Sequence, residues 1–339
     1  MLKLGYAIWC ESRLVNTQVQ QYKKKLDEYQ KTLNSDQINP DLIKQNLVLG
    51  DEPNAVANYE TFGNSNLSFT PNWNFNGDDT YLVVGKNLSD LRGNFLKVTW
   101  SNLKNSSYRG QKIGKISAVF SDLIHDKNNQ QNRDSWLIIF KNPYKGFWYL
   151  VSHSLTVDYT LYDESGNHIT LPNDESAWVT IGSLNAGTGR REGASLLSEG
   201  KAYGFKDSSI TVHNGNSIYS DTANSVTQKI GSDWRDIDNV TSEYPWGTED
   251  WDRGLADPHA YYGAGVFNIS GGHFKIKYFT DRTHQDNTDT WANISTSIVK
   301  SSSGIVPPTI HYHRTNVALL LYQRKKVLRH TFLKTRLIL

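Results

Sequence analysis

The chain is nearly free of sulfur. Its 339 residues include one cysteine, Cys10, and one methionine, Met1. A lone cysteine excludes a disulfide framework and a multi-cysteine zinc site. No run reaches the ~18–20 apolar residues that cross a bilayer, so membrane insertion is not expected. Residues 1–10 hold one lysine and a short apolar stretch before Glu11 and Arg13, too short and too soon charged for a signal peptide. The familiar catalytic signatures HExxH, GxSxG and the P-loop are missing as well. Gly187, Gly189 and Gly193 are spaced one residue off the dinucleotide fingerprint. They follow no strand-to-helix pattern and read as a flexible loop.

Acidic residues are missing from one segment. Residues 311–339 contain Arg314, Arg324, Lys325, Lys326, Arg329, Lys334 and Arg336 and no acid. The whole chain has 36 basic and 34 acidic residues, a net of +2, so residues 1–310 carry 29 against 34, a net of −5. A nucleic-acid footprint runs across a folded surface. Here the positive charge sits in one terminal segment, so no nucleic-acid partner is expected.

What is present falls into four parts. Residues 1–10 are unassigned. Val15, Val19, Tyr22, Leu26, Tyr29 and Leu33 are spaced 4, 3, 4, 3, 4, a heptad seam that predicts a helix over 11–33, closed before Asn39-Pro40. Two readings of it stay open, a helix packed on its own domain or the end of a helical stalk over 11–40. From residue 41 to 305 the period changes to two. Leu96, Val98 and Trp100 alternate with polar neighbours, as do Ile116, Ala118 and Phe120, then Leu155, Val157, Tyr159 and Leu161, then Phe274, Ile276 and Tyr278. This predicts a mainly β domain of strands with one wet face, a sandwich or barrel. Trp136–Phe140 is apolar on both faces and predicts a central buried strand. Asp163–Asn167 predicts a turn. Ser301–Gly304 and Pro307-Pro308 mark a domain exit, and 306–339 reads as a basic tail, disordered or non-native.

The chemistry-bearing residues gather in 243–262. Trp246, Trp251, Tyr261 and Tyr262 lie beside Glu249, Asp250, Asp252 and Asp257. Aromatic faces bury the C–H faces of sugars, and carboxylates and amides bond their hydroxyls. The same mixture also describes a packed aromatic corner with solvated acids. Glycoside hydrolysis needs two opposed carboxylates at a defined separation, which adjacent loop acids do not establish, so a hydrolase is the weaker alternative. Asp233, Asp236 and Asp238 form one cluster of hard oxygen ligands, and Asp281, Asp286 and Asp289 another. Both suit calcium in ligand type, but neither has EF-hand spacing.

Several stretches resemble, in order, the glucan-binding protein C / antigen I/II variable-domain family of streptococcal surface adhesins. They are Leu49-Gly50-Asp51-Glu52-Pro53-Asn54-Ala55, then Trp100–Tyr108 with Gly110 and Lys112-Ile113, then Trp136-Leu137 with Phe140, Asn142-Pro143 and Phe147. Tyr159–Tyr162 with Asp163-Glu164 and Gly166, Ser183-Leu184-Asn185, Ala256-Asp257-Pro258 and Tyr262–Gly265 before Ser270-Gly271 complete the set. The aromatic content is nearest the glucan-binding branch. The resemblance implies a lectin-like β-supersandwich with a cleft, preceded by a helical stalk and often holding a structural calcium ion. It implies a non-catalytic cell-surface, wall-attached adhesin binding dextran-type α-glucan, or alternatively a salivary scavenger-receptor glycoprotein (agglutinin). The proline-rich region and wall-sorting motif of such adhesins are not in this sequence. Within the matched region, Trp246, Trp251, Tyr261 and Tyr262 are the candidate stacking platforms. Glu249, Asp250 and Asn185 are candidate hydroxyl partners, and Asp252, Asp233, Asp236 and Asp238 candidate calcium ligands.

Overall fold

The computed structural model describes residues 19–20, 23–24, 36–40, 43–128, 132–187, 190–224, 251–252, 254, 257–282 and 290–298, together with the strand backbones of 311–323 and 326–338. The chain divides into a body, Asp36–Gly304, and a second unit formed by Met1–Ser35 with Ile305–Leu339.

In the second unit, His311–Gln323 and Lys326–Ile338 pair as an antiparallel hairpin, in register from His311↔Ile338 to Gln323↔Lys326. This paired backbone lies within the segment that the sequence reads as a disordered or non-native basic tail. The stem helix predicted over 11–33 is not supported. Only four residues of that span are described, each in helical conformation, and no described helix is long and apolar enough to cross a membrane.

The body is mainly β, as its alternating pattern predicts. One sheet has five antiparallel strands in the order Thr290–Ala292, Phe147–Leu150, Ser135–Phe140, Asp78–Gly85, Leu67–Phe75. A larger sheet runs Ile210–His213, Ser217–Ser220, Arg190–Leu196, Phe274–Arg282, Ser152–Asp163, Gln111–His125, Leu91–Ser101, Val56–Thr61. A third pairs Gln37–Ile38, Gly200–Phe205, Gly265–Ile269 and Trp178–Ile181.

Alternation decides which side chains meet. Leu96, Val98, Phe120, Leu155, Val157 and Tyr278 from the large sheet share one core with Tyr81, Val83, Leu137, Ile139, Phe147 and Tyr149 from the five-stranded sheet. The Phe147 ring lies 5.9 Å from Phe120 and 5.2 Å from Tyr278, edge-on to each. Across the same interface the indole of Trp100 donates to the Phe140 carbonyl at 3.2 Å. The strand Ser135–Phe140 is central, as its apolar run predicts. Trp136 departs from that pattern, because its side chain points off the outer face and is 37% exposed. The Asp163 turn forms as predicted, with Asn167 N–H donating to the Asp163 carboxylate at 2.8 Å and Gly166 at φ 84°. Gly187 and Gly193 stand on antiparallel strands in which Ala186 pairs with Arg191, where the sequence predicts a flexible loop; Gly189 lies outside the described residues.

Two of the quoted motifs pack on each other. Glu52, 2% exposed, accepts hydrogen bonds from Lys104 N–H and Asn105 N–H, both at 2.7 Å, and from the Ser106 hydroxyl at 2.9 Å. A Cβ on Gly50 would fall 2.5 Å from the Asn105 carbonyl oxygen, so only glycine lets the segments approach this closely. Glu52→Ala removes the acceptor for three donors and is expected to cost about 2–4 kcal/mol, read from urea midpoints. An unchanged midpoint would show that the bracket contributes nothing.

His125, buried at the end of its strand, bonds Ser135 Oγ through Nδ1 at 3.0 Å. Burial holds its pKa below the ordinary 6.5, against the opposing pull of Asp126, Asp90 and Asp134, while Lys127 adds to the lowering. The unfolded chain therefore takes up the proton first. Stability is whole above the unfolded pKa and is lost as the pH falls through the folded one. Melting temperature is expected to drop on acidification below about pH 6.5. His125→Gln should flatten that part of the profile.

Candidate functional site

A cleft of ≈ 250 Å³ opens where the five-stranded sheet meets the loops around residues 183 and 251–260. Its walls are Trp148, Trp251, Trp291, Asp252, Ser183, Gly254 and Ala260. Trp148 and Trp291 come from adjacent strands and stand directly opposite each other in the ladder. Phe147 and Tyr149 point into the core, so alternation sends Trp148 outward. The Trp291 indole donates to the Lys145 carbonyl at 2.9 Å, which fixes its ring.

Trp251 forms the opposite wall. Its indole donates to the Asn224 carbonyl at 2.6 Å and meets Tyr262 edge-on at 6.4 Å. A Cβ on Gly263 would lie 1.9 Å from the indole ring, so the ring rests on bare backbone. Trp251 is 1% exposed. It closes the cleft as a packed wall and is not the exposed platform that the sequence predicts.

The cleft carboxylate is positioned from the core outward. Tyr149 and Thr280 hydroxyls bond at 3.0 Å, Thr280 and Thr290 at 2.9 Å, and Thr290 donates to Glu192 Oε1 at 3.3 Å. Glu192, buried and paired with Arg190, accepts the Asn185 backbone N–H at 3.0 Å. The Asn185 amide in turn donates to Asp252 Oδ2 at 2.8 Å. Ser183, also on the cleft, has a left-handed φ of 57°, uncommon for a non-glycine residue and frequent near binding sites.

Of the predicted residues, the structure brings together Trp251, Asp252 and Asn185. Asn185, expected to bond sugar hydroxyls, braces Asp252 at the cleft. Tyr261 is buried and is not a stacking surface, and Tyr262 packs half-buried on Trp251. Burial pushes both phenols above their ordinary pKa, and Asp207 adds to this at Tyr261. Trp246, Glu249, Asp250, Asp233, Asp236 and Asp238 lie outside the described residues, as do Asp286 and Asp289. Among the described residues no group of three or more His, Cys, Asp or Glu side chains could hold a metal ion. Asp252 accepts the Asn185 amide N–H at 2.8 Å. Sequence reasoning missed Trp148 and Trp291. The available signal was the alternation in Phe147-Trp148-Tyr149, which places the indole on the wet side.

β-sheets packed on one core, with a tryptophan-walled surface cleft, define a mainly β domain. The description "Glucan-binding protein C" matches residues 30–295, and the chain belongs to that family. Its fold is similar to the glucan-binding protein C of Streptococcus mutans, a mediator of sucrose-independent and sucrose-dependent adherence. Identity there is 19% over 86% of this chain and 87% of that one, with a TM-score of 0.56. It is also similar to the adhesin domain of PrgB from Enterococcus faecalis, at 18% identity over 77% and 92% of the two chains and a TM-score of 0.53. The same adhesin domain bound to DNA aligns at 22% identity over 64% and 71%, with a TM-score of 0.49.

Proposed function

We infer that the body is the binding domain of a cell-surface adhesin and that the Trp148–Trp251–Trp291 cleft holds a dextran-type α-glucan without cleaving it. The observation that carries this is the meeting of two outward indoles, Trp148 and Trp291, with one braced carboxylate, Trp251 closing the cleft as a packed wall. The rings offer apolar faces for pyranose C–H groups, and Asp252 and Ser183 offer partners for hydroxyls. Family membership adds the glucan as the expected ligand class. The net of −5 over residues 1–310 is the wrong sign for a polyanion and tolerable for a neutral sugar.

Hydrolysis needs two carboxylates across the scissile bond. Among the described residues the cleft lining has one, Asp252. The expected outcome is retention on cross-linked dextran beads, release by free dextran, and no growth of reducing ends on prolonged incubation. Passage through the beads without delay, or steady release of reducing ends, would overturn the reading. Release by salivary agglutinin in place of dextran would point to the glycoprotein ligand.

A further inference from the structure

The cleft has a neighbouring opening on the same sheet face. Along Phe147–Leu150, Trp148 and Leu150 both point outward. Trp148 lines the cleft, and Leu150 lines a second groove of ≈ 480 Å³ with Arg133, Asp134, Trp136 and Val151. In the ladder Trp148 stands opposite Ile138 and Leu150 opposite Trp136. Trp136 and Trp148 are therefore diagonal neighbours, about 7–8 Å apart. Trp73 meets Trp136 edge-on at 6.4 Å, and Phe75 stands 6.4 Å from Trp148. An aromatic path thus runs from Trp291 through Trp148 to Trp136 on neighbouring strands, and on to Trp73 one strand further out.

Trp73 and Trp136 are 36% and 37% exposed, so two large apolar rings face water beside a groove. The groove floor is fixed. Val151 adopts a left-handed φ of 53°, and its carbonyl accepts from Asp126 N–H and the Ser135 hydroxyl, both at 3.0 Å. One guanidinium and one carboxylate line the rim, Arg133 and Asp134, and Asp134 also accepts the Leu88 N–H at 3.0 Å. Opposed charges with a stacking ring suit a neutral polyhydroxylated ligand better than a charged one. The first cleft, at ≈ 250 Å³, lies just under the span of small-molecule pockets, about 300–1,000 Å³, and holds only a short piece of a chain.

We propose that the groove lined by Trp136 and Leu150, with Trp73 packed against Trp136 beside it, is a second glucan subsite, which takes the same polysaccharide strand where it leaves the cleft, so that the protein selects long chains over short ones. This rests on the reading of the cleft as a glucan site. Occupying two linked subsites makes the second contact intramolecular and raises affinity without strengthening the first.

The test is calorimetric titration of the full chain with isomaltotriose and with long-chain dextran, melting temperatures being recorded for every variant. Trp136→Ala is expected to leave isomaltotriose affinity unchanged and to weaken dextran affinity about tenfold. Trp73→Ala and Arg133→Ala should show the same selectivity to a smaller degree. Unchanged dextran affinity in both tryptophan variants would overturn the subsite while leaving the cleft reading standing. So would equal losses for the short and the long ligand. If the unmodified protein binds neither ligand, the cleft reading fails and the subsite with it. Sedimentation showing dimers that Trp136→Ala dissolves would overturn the subsite in favour of contact between copies of the chain.

Discussion

Alanine at both Trp148 and Trp291 is expected to weaken dextran binding about a hundredfold, close to 3 kcal/mol, and to leave the fold intact. The two rings are opposed across neighbouring strands, so together they form one continuous apolar surface. The bond from the Trp291 indole to the Lys145 carbonyl holds its ring in place before any ligand arrives. A ring already held loses little freedom on binding, and such anchors carry a large share of affinity. Each single variant should lose less, and because the rings are neighbours their effects should not add simply. Stability should fall only modestly, since both side chains stand on the outer face of the sheet, partly open to water. Titration with dextran, beside a melting curve for each variant, measures both quantities. A double variant that still binds dextran as tightly as the parent would remove the cleft from consideration.

The sheets were legible in the sequence because one physical rule governs them. Side chains alternate across a strand, so Leu155, Val157, Tyr159 and Leu161 had to share one face, and that face is the core. Trp136 marks where the rule was misapplied. An unbroken apolar run suggests burial on both faces, yet its outward indole stands at the rim of a groove. The site was less legible, because it is assembled by register. Trp148 and Trp291 are distant in the chain and meet only through strand pairing. Asn185 reaches Asp252 only because Glu192, Arg190 and Thr290 fix it from below. Local composition pointed to Trp251 and Asp252, which the structure places on one cleft. It assigned the wrong task to Trp251, since composition does not distinguish an aromatic residue that packs from one that waits for a ligand.

That distinction gives the second large effect. Trp251→Ala is expected to destabilise the body by about 3–5 kcal/mol, the cost of emptying a buried aromatic site, and to lose dextran binding as a consequence. Deleting the ring leaves a cavity beside Gly263, Tyr262 and Asp252, and it leaves the Asn224 carbonyl without its indole donor. Asn224 is itself buried. Its side chain accepts the Ala186 N–H and donates to the Leu184 carbonyl and Ser209 hydroxyl, so the disturbance reaches the segment that carries Asn185. Trp251→Phe should recover most of the packing but not the hydrogen bond, and should lie between parent and alanine variant in urea midpoint. Gly263→Ala tests the same contact from the other side. Its new methyl would collide with the indole and displace the cleft wall without removing any aromatic surface. The order expected from urea melts is parent, then Trp251→Phe, then Trp251→Ala. The Trp148 and Trp291 variants should remain near the parent. If Trp251→Ala melted like the parent while losing only binding, the residue would be an exposed platform after all, and the packed wall described here would be wrong.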